Sequence, residues 1–416
     1  MRVLIFGANY EPDLGPSAPI FTMLCENLVR RGHQVTMLTM VPHYPSGRVA
    51  PEYRGTWLGR TIENGVEVIR VGLPSVDRAR LPQRLIQYLV YQLGAAWAGL
   101  GRQYEVVFAG SSSLSAWLPF ITLVGLRNKP AVYGVYDVYP GVGVALGVFR
   151  HKPIIKLVSS MERYCLEHAQ LVRIISETFR DELRDMGVPD GKMVHGYDWV
   201  DTHLIQPLPR NNAFAREQGL DGKFVVLYAG NLGLSQGLEQ ILAAADLLRA
   251  NREIRFVFVG DGASRASLMA EAARRQLENV QFLPYQPRPR LPEVLASADL
   301  SLVTLQRGIG SRSLPSKTYS IFASGRPLLA SVEDDSEAWK LIHLSGGGVC
   351  VPPENPSALA AAVLNLKQDP ARCAELGRRG RLWAEAHHSP MAGALEVEKL
   401  LTEAIAIKNG QPRLKN

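Results

Sequence analysis

The sequence predicts an α/β protein made of two doubly wound, Rossmann-like domains. Short apolar, β-branched runs alternate with longer amphipathic stretches, and this alternation breaks near mid-chain and starts again. Continuous rather than alternating apolar strands imply burial on both faces, the mark of a parallel sheet covered by helices. Right-handed β-α-β crossovers then wind each half around its sheet. A chain of 416 residues is too long for one ordinary core and suits two or three domains.

The first domain is expected over 1–205. Its strands are read at Arg2–Gly7, Gln34–Thr39, Val66–Val71, Glu105–Ala109, Ala131–Tyr136 and Leu171–Ile175. Helices are read at Ala18–Arg31, Leu81–Leu100, Ser113–Leu126 and Pro153–His168. Gln206 to Asn212, with two prolines and no apolar periodicity, reads as a linker. The second domain, 206–385, restarts with strand Phe224–Tyr228, helix Gly237–Arg249, strand Ile254–Val259, helix Ser264–Gln276 and strand Val280–Leu283. Helix Leu291–Ala298, strand Leu300–Leu305, helix Ser316–Ser324, strand Pro327–Ser331 and helix Ser336–Leu344 follow. Gly348–Val351 is a last strand and Ala358–Lys367 a helix. Ala371–Ile407 reads as helical, and the segment 386–416 is expected to pack back across the junction. Two such domains would frame a cleft at the carboxyl ends of their strands.

With 46% apolar and 20% charged residues, the chain is neither disordered nor fibrous. The longest apolar run, Leu114–Leu126, is too short to span a bilayer. The amino terminus turns acidic at once and lacks the small-residue exit of a cleavable signal. A cytoplasmic protein is expected. Cys25, Cys165, Cys350 and Cys373 have no metal-ligand or disulfide spacing. No His-carboxylate spacing suggests a metal either. The net charge of +7 is spread over both halves, with no basic block to grip nucleic acid. A pI of 9.2 still favours phosphorylated ligands and anionic membranes. Pro82–Arg102 mixes Leu, Ile, Tyr and Trp between terminal arginines and is a candidate for membrane-surface contact, or for plain core packing.

The chemistry-bearing positions sit after strands. The first βα loop runs from Gly7 to Ser17 with Gly15 before a helix start, too widely spaced for a dinucleotide fingerprint but suited to an anion. Asp137 follows strand Ala131–Tyr136, where it could orient a hydroxyl or cap the next segment. Gly230-Asn231 through Gln236-Gly237 open one helix, and Gly260-Asp261-Gly262 the next. Glycine lets backbone approach a ligand closely. Ser316-Lys317 begins a helix, and a lysine in a first turn opposes the helix dipole, which suggests an anion nearby. Glu337 begins the helix after strand Pro327–Ser331 and could cap it or take sugar hydroxyls.

GPSAP, LVRRGHQVTMLT, YAGNLGLSQGLEQILAAADLL, FVFVGDG, VQFLPYQPRPRLPEVLASADLSLV and LPSKTYSIFASGRPLLAS together resemble the bacterial family 4 glycosyltransferases. VPHYPSG, YDVYPGVGVALG, GNLGLSQG and LPSK look like the colanic-acid and O-antigen exopolysaccharide branch, and the resemblance spans Arg2 to about His388. It implies a GT-B fold, with the donor in the second domain and the acceptor in the first. It also implies retaining, metal-independent hexosyl transfer from a UDP- or GDP-sugar to a saccharide linked to polyprenyl diphosphate at the inner membrane face. By the resemblance, Gly230, Asn231, Gln236 and Gly237 match the first donor loop and Gly260, Asp261 and Gly262 the nucleotide-side loop. Pro284 and Tyr285 match the segment beside the base, Gly15 the loop near the diphosphate and Asp137 the site facing the sugar.

The chain departs from the pattern in two places. Many members carry Arg and Lys where it has Asn231 and Gln236, and two glutamates where it has Arg312 and Ser320. Lys317, with Arg312 and Ser316 beside it, is therefore expected to supply the diphosphate's counter-charge, and Glu337 the hydroxyl contacts. Asp137, Lys317 and Glu337 are the expected catalytic set. A nucleotide-sugar epimerase on the same fold is one alternative, and a non-catalytic nucleotide-sugar-binding subunit, which these departures leave open, is another.

Overall fold

The computed structural model describes all residues except 78–79, 111, 142–143, 145–150, 309–314, 412 and 414–416. Its chain divides into two units: Met1–Asp198 together with Pro390–Asn416, and Trp199–Ser389.

Unit one holds eight strands: β1 (Arg2–Phe6), β2 (Gln34–Met40), β3 (Leu58–Glu63), β4 (Val66–Val71), β5 (Val106–Gly110), β6 (Ala131–Val135), β7 (Leu171–Ile174) and β8 (Met193–His195). Their order in the sheet is β3-β4-β2-β1-β5-β6-β7-β8, and only β3 runs antiparallel, against β4. Strands β1, β5, β6 and β7 are buried almost throughout, as continuous apolar runs require. β3 and β8 were not expected from the sequence. β3 is a half-exposed edge strand reading LGRTIE, with no apolar run, and it turns into β4 through Asn64-Gly65, both at positive φ.

Unit two has six parallel strands: β9 (Phe224–Ala229), β10 (Ile254–Val259), β11 (Val280–Leu283), β12 (Leu300–Thr304), β13 (Leu328–Ser331) and β14 (Gly348–Val351). Their order, β11-β10-β9-β12-β13-β14, reverses direction between β9 and β12. That switch point is where a doubly wound sheet leaves a crevice beyond its strand ends.

Three local expectations need correction. The helix expected over Ser113–Leu126 is regular only over Ser113–Pro119 and continues to Gly125 in wider, π-type turns. Pro119 has no N–H to give the ladder. The helical tail expected over Ala371–Ile407 is two helices, Pro370–His387 and Pro390–Lys408, because Pro390 starts a helix better than it continues one. The break between units falls after Asp198 rather than at 205. The expected linker is in fact fastened to unit two: Arg210 bonds Asp299 at 3.0 Å, and the Asn212 side chain caps helix Ala213–Glu217.

The final helix belongs to unit one. Arg173 on β7, wholly buried, donates to Glu396 Oε1 at 2.9 Å and reaches Asp198 Oδ1 at 3.4 Å. Arg31 and His33 meet Glu398 from the other side, His33 Nε2 at 3.1 Å. Breaking a buried charge group on one side leaves the rest uncompensated. Arg173→Met should therefore cost about 3–5 kcal/mol, read as a lower urea midpoint for unfolding.

Candidate functional site

Two loops at the carboxyl ends of β9 and β10 lock together in unit two. Gly230 N donates to Val259 O at 2.9 Å, Leu232 N to Asp261 O at 2.8 Å and Ser264 N to Leu232 O at 2.8 Å. The contact is backbone on backbone. A Cβ at Gly260, which has φ +149°, would lie 1.9 Å from Gly230 O, so no side chain fits. Asp261 is exposed and its carboxylate takes the Gly262 amide at 2.8 Å. Asn231 is exposed too, and its amide and that of Gln236 converge beside Gly233. Gly237 adopts the left-handed conformation (φ +57°) between the short turn Leu234–Gln236 and helix Glu239–Leu247.

Lys317 is brought to this pair of loops from the far side of the switch point. It opens helix Lys317–Ala323, which Arg381 pins by donating to Ala323 O at 2.6 Å and Ile205 O at 2.7 Å. The Lys317 ammonium donates to the Tyr228 hydroxyl at 2.5 Å and stands 3.8 Å from the centre of that ring. Tyr228 in turn donates to Asn231 O at 2.9 Å. A Cβ at Gly230 would lie 3.4 Å from Lys317 Nζ. Among the described residues no carboxylate pairs with this ammonium. Burial without an anion lowers its pKa from 10.5 to about 7. Burial likewise raises the Tyr228 phenol. The arrangement is a largely desolvated amine held beside glycine backbone, suited to receive an anion.

The other expected residues are dispersed. Ser316 is exposed and its hydroxyl makes no capping bond. Arg312 lies outside the described residues. Pro284 and Tyr285 follow β11 and are exposed, Tyr285 by 71%. Glu337 is buried at the start of helix Glu337–Ser345, but the capping bond comes from Ser336, which accepts from Trp339 N at 3.2 Å. The Glu337 carboxylate reaches only Lys340, at 3.8 Å, and no bond joins it to Lys317 among the described residues.

In unit one, Asp137 stands exposed just beyond β6, and desolvation by the protein crowded around it raises its pKa. Gly15 is drawn in by Asp13, whose Oδ1 accepts its amide at 2.6 Å, and a Cβ there would strike the Asn9 side chain. Asp13 Oδ2 also takes the amides of His43 at 2.8 Å and Tyr44 at 3.3 Å. One buried carboxylate thus ties the loop after β1 to the loop after β2. Burial alone would raise its pKa, but the His43 and Gly15 bonds outweigh that and lower it. Sequence reasoning passed over Asp13, although an Asp two residues before a glycine is a turn signal. Among the described residues no three His, Cys, Asp or Glu side chains gather as metal ligands.

Comparison with known proteins identifies the family. A family model for glycosyl transferases group 1 matches residues 210–383, and one for a glycosyl transferase 4-like domain matches 17–195. The chain belongs to the glycosyltransferases. A curated relative, the colanic acid biosynthesis glycosyl transferase WcaI of Escherichia coli K12, is 28% identical over 87% of this chain and 91% of its own length. Sucrose-phosphate synthase from Thermosynechococcus elongatus has the same fold, with TM-score 0.70 at 18% identity, over 98% of this glycosyltransferase and 100% of the synthase. Anabaena HepE, solved in complex with UDP-glucose, superposes with TM-score 0.67 at 15% identity, over 97% and 99% of the two chains. The GT-B architecture of this glycosyltransferase is therefore established as the sequence implied.

Two outcomes follow for the site's construction. Gly260→Ala should lose at least about 3 kcal/mol, because a strained φ is added to a backbone clash, and calorimetric melting will read it. The second concerns Lys317. Between about pH 7 and 10.5 the unfolded chain holds a proton there that the folded chain has lost, so wild-type stability rises with pH across that window. Lys317→Met should remove the slope and raise Tm by about 3 °C at neutral pH, with a smaller gain in alkali.

Proposed function

We propose that this glycosyltransferase moves a hexosyl residue, with retention of anomeric configuration, from a UDP- or GDP-sugar to a saccharide carried on polyprenyl diphosphate. The product would enter surface polysaccharide synthesis at the inner membrane face, with the protein peripheral there. The observation that carries the donor side is the half-buried Lys317 ammonium, unpaired with any described carboxylate and set against Gly230. The relationship to WcaI supports the polysaccharide setting, and the UDP-glucose complex of HepE supports a nucleotide-sugar donor.

The chemistry asks for such a group. As the bond between the sugar C1 and the diphosphate oxygen breaks, its electron pair stays with the diphosphate. The growing negative charge must be stabilised before the group departs. Lys317 takes that role, and the Gly230 and Gly260–Gly262 turns let the diphosphate approach backbone closely. The acceptor hydroxyl oxygen bonds C1 while its proton passes to the released diphosphate. Asp137 orients that hydroxyl, Glu337 contacts donor hydroxyls, and Tyr285 lies along the base. No metal is required in this scheme.

Titration calorimetry with UDP and GDP tests it. Lys317→Met should weaken nucleotide diphosphate binding about 10- to 100-fold, the loss of a charge-assisted bond. Wild-type affinity should fall as pH rises past about 7, since only the protonated amine attracts the anion, and the variant should show no such fall. Equal affinity of the two proteins would remove Lys317 from the donor site. Transfer to a polyprenyl-diphosphate saccharide should persist in EDTA and give a product with the donor's anomeric configuration.

A further inference from the structure

The helix Leu81–Leu100 in unit one is turned inside out relative to an ordinary surface helix. From Ile86 to its end, the exposed positions are Ile86 (52%), Leu89 (55%), Leu93 (51%), Trp97 (70%) and Leu100 (45%). Steps of three and four residues put these five on one face, along about 21 Å of helix. The polar side chains of the same stretch point inward and are satisfied there. Gln87 Nε2 donates to Gly47 O at 3.0 Å and Pro74 O at 2.7 Å, while Gln92 bonds Leu114 O at 2.9 Å and the Leu118 amide at 2.8 Å. Tyr91 anchors the inner face, its hydroxyl donating to Leu38 O at 3.0 Å. Singly exposed leucines are ordinary, but an unbroken apolar stripe marks a surface that binds something.

Charge identifies the occupant. The helix contains no Asp or Glu. Arg84 lies in its first turn, Arg80 just before it pairs with Asp77 at 3.6 Å, and Arg102 follows its end. Arg127 bonds Leu100 O from the neighbouring turn, next to Leu126, which is itself 77% exposed. Arg60 and Arg102 share the single carboxylate of Glu67, which leaves net positive charge beside Trp97, and Trp97 lines one shallow cavity with Arg60 and Arg102. An apolar face rimmed by cations, with a Trp near one end, is the composition of a helix lying flat in the interface of an anionic bilayer. No helix among the described residues is long and apolar enough to cross one.

We propose that the Ile86–Leu89–Leu93–Trp97–Leu100 face docks on an anionic lipid surface, its side chains entering the acyl boundary while the flanking arginines meet lipid phosphates. This deepens the lipid-linked acceptor reading and rests on it, since a membrane-bound acceptor is best met by an enzyme held at the same surface.

The test is sedimentation of the full chain with phosphatidylglycerol-containing and with pure phosphatidylcholine vesicles. Wild type should bind the anionic vesicles, and high salt should weaken the binding. Leu89→Glu/Trp97→Glu should cut the bound fraction about tenfold or more, the loss of two buried apolar anchors. The variant should melt at the wild-type temperature and keep its UDP-induced shift in Tm. That control separates failure of this surface from failure of the transferase reading, which would show as no UDP shift in either protein. Vesicle binding unchanged in the variant overturns the proposal. So does a stable dimer in lipid-free buffer that the two substitutions dissolve, because the stripe would then belong to a second copy.

Discussion

The second unit of this glycosyltransferase holds the ammonium group of Lys317 largely withdrawn from water, against a tyrosine and a glycine turn. Partly desolvating Lys317 with no carboxylate beside it among the described residues costs stability, and several elements hold the side chain in place against that cost. Tyr228 gives it an oxygen and an aromatic face, and Tyr228 is itself fixed by Asn231 O. Arg381 binds the helix that carries Lys317 to the segment ending at Ile205. On the proposed reading, a donor phosphate would relieve that unfavourable solvation at a side chain already held in place.

Around that cation, glycine is a packing requirement rather than a matter of flexibility. Gly260 admits the carbonyl of Gly230 where any side chain would collide, and Gly262 does the same for Leu232. The two turns after β9 and β10 therefore form one backbone surface, beside the switch in strand order. In unit one a carboxylate does comparable work. Asp13 gathers three amides from two strand-end loops, so the loop containing Gly15 is shaped by charge and hydrogen bonding as well as by the missing Cβ of its glycine.

Parallel strands such as β1, β5, β6 and β7 were legible because each is buried almost throughout and reads as an unbroken apolar run, whereas β8, three residues long and half-buried, was not. β3 escaped the same reading because it lies at an edge, where burial exerts no such pressure on composition, although Asn64-Gly65 announced the hairpin. Lys317 was legible through a local conflict, a positive residue in a first helical turn, and Tyr228 was not, since a Tyr within a strand looks like any core residue. Glu337 shows the limit of position-based reasoning. The sequence places it correctly at a helix start, but whether its carboxylate or that of a neighbour meets a ligand depends on rotamers and packing that no local pattern encodes.

The last helix, Pro390–Lys408, completes unit one from the opposite end of the chain, through Glu396 on Arg173 and Glu398 on Arg31. Residues made earlier therefore wait for a helix that is made later. Until some two hundred intervening residues have emerged, Arg173 stands in an open site without its strongest partner, and the amino-terminal sheet lacks one of its covering helices. Trp199–Ser389, contiguous in sequence, has no such dependence and can close as soon as it leaves the exit tunnel. Order of synthesis and order of completion are thus inverted in this enzyme.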